Sequence, residues 1–129
     1  MENIYKKQLF EWVQAPKYYK DTLSDKTRSS EVKNPLCGDT IALGADFNGD
    51  KLVWSGEGCI ICRAAAECFC EAVNSDDMKK IQELADHIIA DYEEDTSLCT
   101  EFAAFQDVKT IGQRIKCVTL VAKAAKKLL

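Results

Sequence analysis

The stretch Asn34-Pro35-Leu36-Cys37-Gly38-Asp39 restricts this chain more than any other. Proline fixes its own φ and disfavours helix at the residue before it, while Gly38 permits backbone angles that a side chain forbids. The six residues therefore read as a sharp, rigid loop that carries a thiol and a carboxyl group two positions apart. Two ligating side chains on one loop are half of a tetrahedral metal site, and the other half must come from elsewhere in the chain. Gly58-Cys59 and Arg114-Ile115-Lys116-Cys117 are the two candidates.

Strands are expected on both sides of this loop. Ile41, Leu43, Ala45 and Phe47 alternate with less apolar neighbours over 40–47, Asn48-Gly49-Asp50 forms a tight turn, and Lys51 to Ser55 returns. That pattern is an antiparallel hairpin. Ser29 to Lys33, with Val32 as its apolar residue, is read as a short edge strand. Gly56-Glu57-Gly58-Cys59 leaves the hairpin and opens a helix to about Val73, where Asn74-Ser75 interrupt it. Free N–H groups and the dipole at that helix start favour a thiolate at Cys59. On this helix Cys59, Cys62, Ala66, Phe69 and Val73 share one stripe, whereas Arg63, Glu67, Cys70 and Glu71 face away.

The remaining elements are helical. Residues 2–14 form an amphipathic first helix with Tyr5, Leu9, Trp12 and Val13 inward, stopped by Ala15 and Pro16, and the polar stretch from Lys17 to Ser30 reads as a mobile loop. A helix over 76–92 turns Met78, Ile81, Leu84, Ala85, Ile88 and Tyr92 inward and leaves Lys80, Glu83, His87 and Asp91 to solvent. His87 is thereby excluded from the site, and the run Glu93-Glu94-Asp95 reads as a solvated connection. A short helix is expected over 98–105 and a last one over 111–129, with Cys117 inside it. The fold class is thus α+β, a three-stranded antiparallel sheet packed against about five helices in one domain, 1–129.

Composition narrows the function. A length of 129 residues at 47% hydrophobic content supports one core, and a net charge of -4 without a basic cluster gives nucleic acid little to hold. No apolar run approaches bilayer length and no leader pattern follows Met1, so a soluble cytoplasmic protein without membrane partners is expected. Seven cysteines is an odd number, which fits a reducing compartment and metal or sulfur chemistry better than a disulfide framework.

Asn-Pro-x-Cys-Gly-Asp at 34–39, Gly-x-Gly-Cys at 56–59 entering a small-residue helix, and Arg114-x-x-Cys117 followed by Thr119-Leu120 together resemble the U-type iron-sulfur cluster assembly proteins, the NifU N-terminal, IscU and SufU group. Weaker similarity runs from Ile4-Tyr5 through Pro16. The family helix is rich in Ser and Ala, so Cys62, Cys68 and Cys70 depart from its pattern. Lys116 stands where the IscU branch has His, and the long interval from Cys59 to Cys117 is similar to the SufU branch. The resemblance implies a SufE/NifU-like fold and a ligand set of Cys37, Asp39, Cys59 and Cys117. Three thiolates and a carboxylate suit zinc, or alternatively iron or one edge of a transient iron-sulfur cluster. It further implies a protein that accepts persulfide sulfur from a cysteine desulfurase, or assembles a labile cluster, and serves downstream recipient proteins.

Within that set, Cys59 and Cys117 belong to helices, while Cys37 rides a loop and can swing outward, which makes it the expected sulfur acceptor. The family implies the same residue. Arg114, one turn before Cys117, is expected to orient Asp39 or stabilise thiolate charge. Two other classes are weighed. A structural zinc-binding interaction module without sulfur transfer would usually show paired Cys-x-x-Cys knuckles, and only Cys59 and Cys62 have that spacing. A thioredoxin-like oxidoreductase could use the same pair but needs a strand-helix-strand order that the pattern lacks.

Overall fold

The computed structural model describes residues 7–21, 23, 28–34, 38–46, 51–75, 80–93, 105, 108 and 112–128. The elements are α1 (Lys7–Gln14), β1 (Arg28–Asn34), β2 (Asp39–Asp46), β3 (Lys51–Glu57), α2 (Ile60–Ser75), α3 (Ile81–Glu93) and α4 (Gly112–Leu128). The strands form one antiparallel sheet in the order β1-β2-β3. Four helices lie among the described residues; the short helix expected over 98–105 falls outside them except for buried Phe105.

The period-two pattern of the hairpin becomes a single buried face. Ile41, Leu43 and Ala45 of β2 and Leu52 and Trp54 of β3 are all buried, with Leu43 opposite Trp54 and Ala45 opposite Leu52. Helix α4 packs on β1 and β2, and α2 packs on β3, α1 and α4. Ala64, Ala65 and Ala66 on α2 and Ala122, Ala124 and Ala125 on α4 are fully covered. Their small side chains let helix backbones come close to the sheet and to each other. Ser30 of β1 donates to the Ala124 carbonyl at 2.5 Å, which ties the edge strand to α4.

On α1, Leu9 is fully buried and Trp12 stacks on Phe105, with ring centroids 5.7 Å apart. The Ala15 amide still bonds to Glu11, and Pro16 ends the helix because it has no N–H to continue the ladder. On α3, Ile81, Ala85, Ile88 and Tyr92 face the core and His87 is exposed, in line with the sequence pattern. None of the described helices is long and apolar enough to cross a membrane.

Four details differ from the sequence reading, and the first three have a polar cause. Glu67 does not face away. It is 2% exposed and accepts hydrogen bonds from the Trp54 indole at 2.7 Å and from the backbone amides of Lys17 and Tyr18 at 2.8 and 3.0 Å. A buried indole N–H needs an acceptor, and so do amides that follow a helix end. The stretch read as a mobile loop is accordingly anchored at Tyr18 to Lys20: Trp54 N–H donates to Tyr18 O, and Lys20 N–H donates to Trp54 O. Tyr18 also donates to Glu71 at 2.6 Å, and that bond to a carboxylate pushes the phenol up to about 12.

Asn74 does not interrupt α2, which runs to Ser75. Its side-chain amide instead exchanges two hydrogen bonds with Leu52, donating to the carbonyl at 2.9 Å and accepting from the amide at 2.8 Å. The outer edge of β3 is thus capped at Leu52 by Asn74 and at Trp54 by the Tyr18–Lys20 segment, which removes unpaired backbone groups that would invite another strand. Cys70 and Asp91 are the last correction. Both were placed on polar faces and both are fully buried, because α4 and its neighbours cover more of α2 and α3 than one stripe.

Glu67 is the joint of this arrangement. Glu67→Ala is expected to lower stability by about 2–4 kcal/mol, since the Trp54 donor and two amides lose their acceptor together, while Glu67→Gln keeps an acceptor and loses less. Urea unfolding measures both; an alanine variant as stable as wild type would contradict the assignment.

Candidate metal centre

Three separate parts of the chain meet at one point. Asp39 begins β2, where it pairs with Asn34 of β1, and the turn between them closes through the Gly38 amide bonding to Asn34 O at 2.9 Å with Gly38 at φ 73°. Positive φ is the conformation for which glycine is suited. Cys59 follows the end of β3 and precedes Ile60, and Cys117 lies buried in α4. The Asp39 carboxylate and the Cys59 and Cys117 sulfurs all lie within 4.8 Å of one another. Cys37 lies outside the described residues.

Cys59 occupies the N-cap position of α2. Its carbonyl accepts from the Arg63 amide at 3.1 Å as the first helical bond, and its sulfur accepts from the Cys62 amide at 3.4 Å. This is the place where serine or aspartate normally satisfies an orphan N–H. The Cys59 amide in turn donates to Asp39 Oδ1 at 3.0 Å, and the sulfur lies 4.0 Å from Asp39 Oδ2. Asp39 itself is 1% exposed. Two glycines make room for this contact. A Cβ on Gly58 would stand 2.6 Å from Asp39 Oδ1, and one on Gly56, at φ 134°, would run into the Thr40 carbonyl.

The electrostatics follow from one shared proton. Cys117 hydrogen-bonds to the Cys59 sulfur, which draws Cys59 down to about 6 against the opposing effect of burial; the Cys62 amide and the Arg114 charge act in the same direction and Asp39 against it. Cys117 is pushed far up by that same bond, by burial and by facing Asp39. Across this pair the negative charge is therefore favoured on Cys59 and the proton on Cys117. Two sulfurs and a carboxylate with so little solvent form a donor set suited to a tetrahedral cation such as zinc, because a cation offsets the buried anions.

Of the expected site residues, Asp39, Cys59 and Cys117 are brought together, and half-buried Arg114 is close enough for its charge to act on Cys59. Cys62 is buried, donates its amide to the Cys59 sulfur and is not a member of the three-residue cluster. Cys68 and Cys70 are buried core thiols away from the cluster, and burial holds Cys70 well above an ordinary thiol. Sequence marks Gly58 only as part of the Gly-x-Gly-Cys motif, and its steric role comes from how near Asp39 lies. Gly58→Ala is expected to displace the Asp39 carboxylate from the Cys59 amide and cost about 1–3 kcal/mol, measured by chemical denaturation of the metal-free protein; unchanged stability would show that the contact is dispensable.

Comparison with known proteins places the sequence and the fold. The NifU-like N-terminal domain model matches residues 4–104. The chain is 28% identical to the zinc-dependent sulfurtransferase SufU of Bacillus subtilis over 98% of its own length and 90% of that protein. It is 30% identical to the iron-sulfur cluster assembly scaffold protein IscU of Streptococcus pyogenes over 79% of its length and 69% of that protein. Among solved structures, an N-terminal NifU-like protein from Brucella abortus superposes with a TM-score of 0.81 at 14% identity, covering 97% of this chain and 91% of that one. A proposed scaffold protein of the SUF system from Fervidobacterium islandicum gives 0.76 at 23% identity, covering 98% and 97%. By sequence match, fold and the three ordered motifs, the chain belongs to the NifU-like N-terminal domain family of U-type scaffold proteins, on its SufU side.

Proposed function

We propose that this protein works in iron-sulfur cluster assembly as a zinc-holding acceptor of persulfide sulfur from a cysteine desulfurase. The observation that carries the reading is the convergence of Asp39 at the start of β2, Cys59 just before α2 and Cys117 within α4. Cys37, two residues before Asp39 and next to exposed Gly38, completes a four-ligand set of three thiolates and one carboxylate. Zinc in that set supplies a Lewis acid that keeps thiols deprotonated near neutral pH. The similarity to a protein named zinc-dependent sulfurtransferase supports the same reading.

The chain's own residues divide the work. Cys59 and Cys117 are fixed by α2 and α4, so they hold position, whereas Cys37 falls in sequence between β1 and β2 and is assigned the mobile, accepting role. The Cys37 thiolate attacks the outer sulfur of the donor persulfide; a new S–S bond forms, the donor's S–S bond breaks, and the donor leaves as a thiolate while the outer sulfur keeps its hydrogen. Asp39 binds a cation less strongly than a thiolate does, which makes it the ligand that yields most readily. Arg114, whose charge acts on Cys59, is assigned the supporting role of stabilising thiolate charge during the exchange. A second reading, a scaffold for a nascent cluster on the same ligands, is favoured by the similarity to a protein named IscU scaffold, and anaerobic reconstitution with iron and sulfide distinguishes it.

Protein purified without oxygen is expected to carry about one zinc per chain, because the proposed ligand set closes around a single ion. Cys37→Ser, Cys59→Ser or Cys117→Ser should each release it and lower stability, since binding free energy is coupled to folding; Cys68→Ser and Cys70→Ser should not. Metal analysis with thermal denaturation checks this, and full zinc in the Cys59 or Cys117 variant would refute the ligand set.

After incubation with desulfurase and cysteine, peptide mass analysis is expected to place the added sulfur on Cys37. Persulfide confined to Cys62 or Cys99, with Cys37→Ser still accepting, would overturn the mechanism.

A further inference from the structure

A cavity of about 340 Å³ opens beside the metal centre, between the end of α1, β3 and the first turn of α2. Val13, Pro16, Tyr19 and Trp54 wall it, Gly58 separates it from Asp39 and Cys59, and Arg63 reaches into it. Arg63 Nε is buried with no hydrogen-bond partner, and among the described residues Arg63 makes no salt bridge. A guanidinium donor without a partner costs free energy, and a planar fork of donors between apolar walls is matched by a carboxylate.

Resting on the sulfur-acceptor reading, we propose that this groove is a docking pocket for a carboxylate side chain on an extended segment of the cysteine desulfurase, with Arg63 as the recognising group. The volume is near the lower end of the roughly 300–1,000 Å³ range of ligand pockets, room for one or two side chains and not for a folded element. Pro16 and Glu57 at its rim are exposed, so a bound segment can enter and leave. Arg63 is one helical turn past Cys59, its amide bonded to the Cys59 carbonyl, and Gly58 borders groove and metal centre alike. A segment seated on Arg63 is therefore held beside the sulfurs to which a persulfide must be delivered. The chain as a whole carries -4, so attraction of an acidic segment depends on this local cation. Glu57 on the rim disfavours a second anion in the same groove.

The test is binding of the metal-loaded protein to the cysteine desulfurase by calorimetry, together with sulfur-transfer kinetics. Arg63→Ala and Arg63→Glu are expected to weaken binding at least about tenfold, because a desolvated charge pair loses one partner. The apparent KM for desulfurase should rise by a similar factor, with the saturating rate retained. Val13→Arg fills the groove while keeping Arg63 and should weaken binding comparably. Unchanged zinc content and circular dichroism verify the fold of each variant. Wild-type affinity in the Arg63 variants overturns the proposal while leaving sulfur acceptance intact. Displacement of free glutamate by Arg63→Ala without any effect on desulfurase binding also overturns it, by making the groove a small-carboxylate site. A wild-type protein that neither binds desulfurase nor acquires sulfur overturns the functional reading and the docking pocket with it.

Discussion

The contact between the buried Asp39 carboxylate and the Cys59 amide is the constraint on which the rest of the site depends. It joins the start of β2 to the N-terminus of α2, and Cys117 of α4 closes on the same point. Burying an anion is costly unless its lone pairs are met, and here an amide at a positive helix end and a neighbouring thiol meet them. The contact exists only because Gly58 has no Cβ and because Gly56 lets β3 lie against Thr40 before the chain turns into α2. Without those two glycines the sheet and the helix could share a core, but their ends would not share a site.

A second buried carboxylate does the corresponding work at the other side of α2. Glu67 gathers an indole and two amides and fixes the segment after α1 along β3. The two acidic residues play different parts. Glu67 faces neutral donors and serves cohesion, whereas Asp39 faces two sulfurs and is suited to a cation. Between these two anchors lies the groove of Arg63, so the structural joint and the metal centre set its walls from both sides.

Charge distribution around the sulfurs gives the site its direction. Negative charge is favoured on Cys59 by the Cys117 hydrogen bond, the Cys62 amide and the Arg114 charge, while the bond to Cys59, burial and Asp39 favour the proton on Cys117. A helix N-cap filled by cysteine thus unites a structural task with a chemical one. The same sulfur that satisfies the first turn of α2 is offered to a cation, so metal binding and the order of that turn are linked.

The sequence by itself determined the sheet and the helices. Alternation at Ile41, Leu43 and Ala45 and helical spacing at Ile81, Ala85 and Ile88 report burial through local periods, and Gly and Pro mark the turns between them. It also singled out Cys37, Asp39, Cys59 and Cys117, since thiols and a carboxylate in ordered motifs are chemically legible in one dimension. What only the tertiary structure decided were the partnerships of polar side chains. Glu67 and Asn74 look solvated or helix-breaking on a helical wheel, yet their partners lie 50 and 22 residues away and become neighbours only after α2 docks on β3. The proximity of Gly58 to Asp39 and the groove at Arg63 have the same origin. Periodicity records which face is covered, but the fate of a buried polar atom depends on what the covering element brings to it.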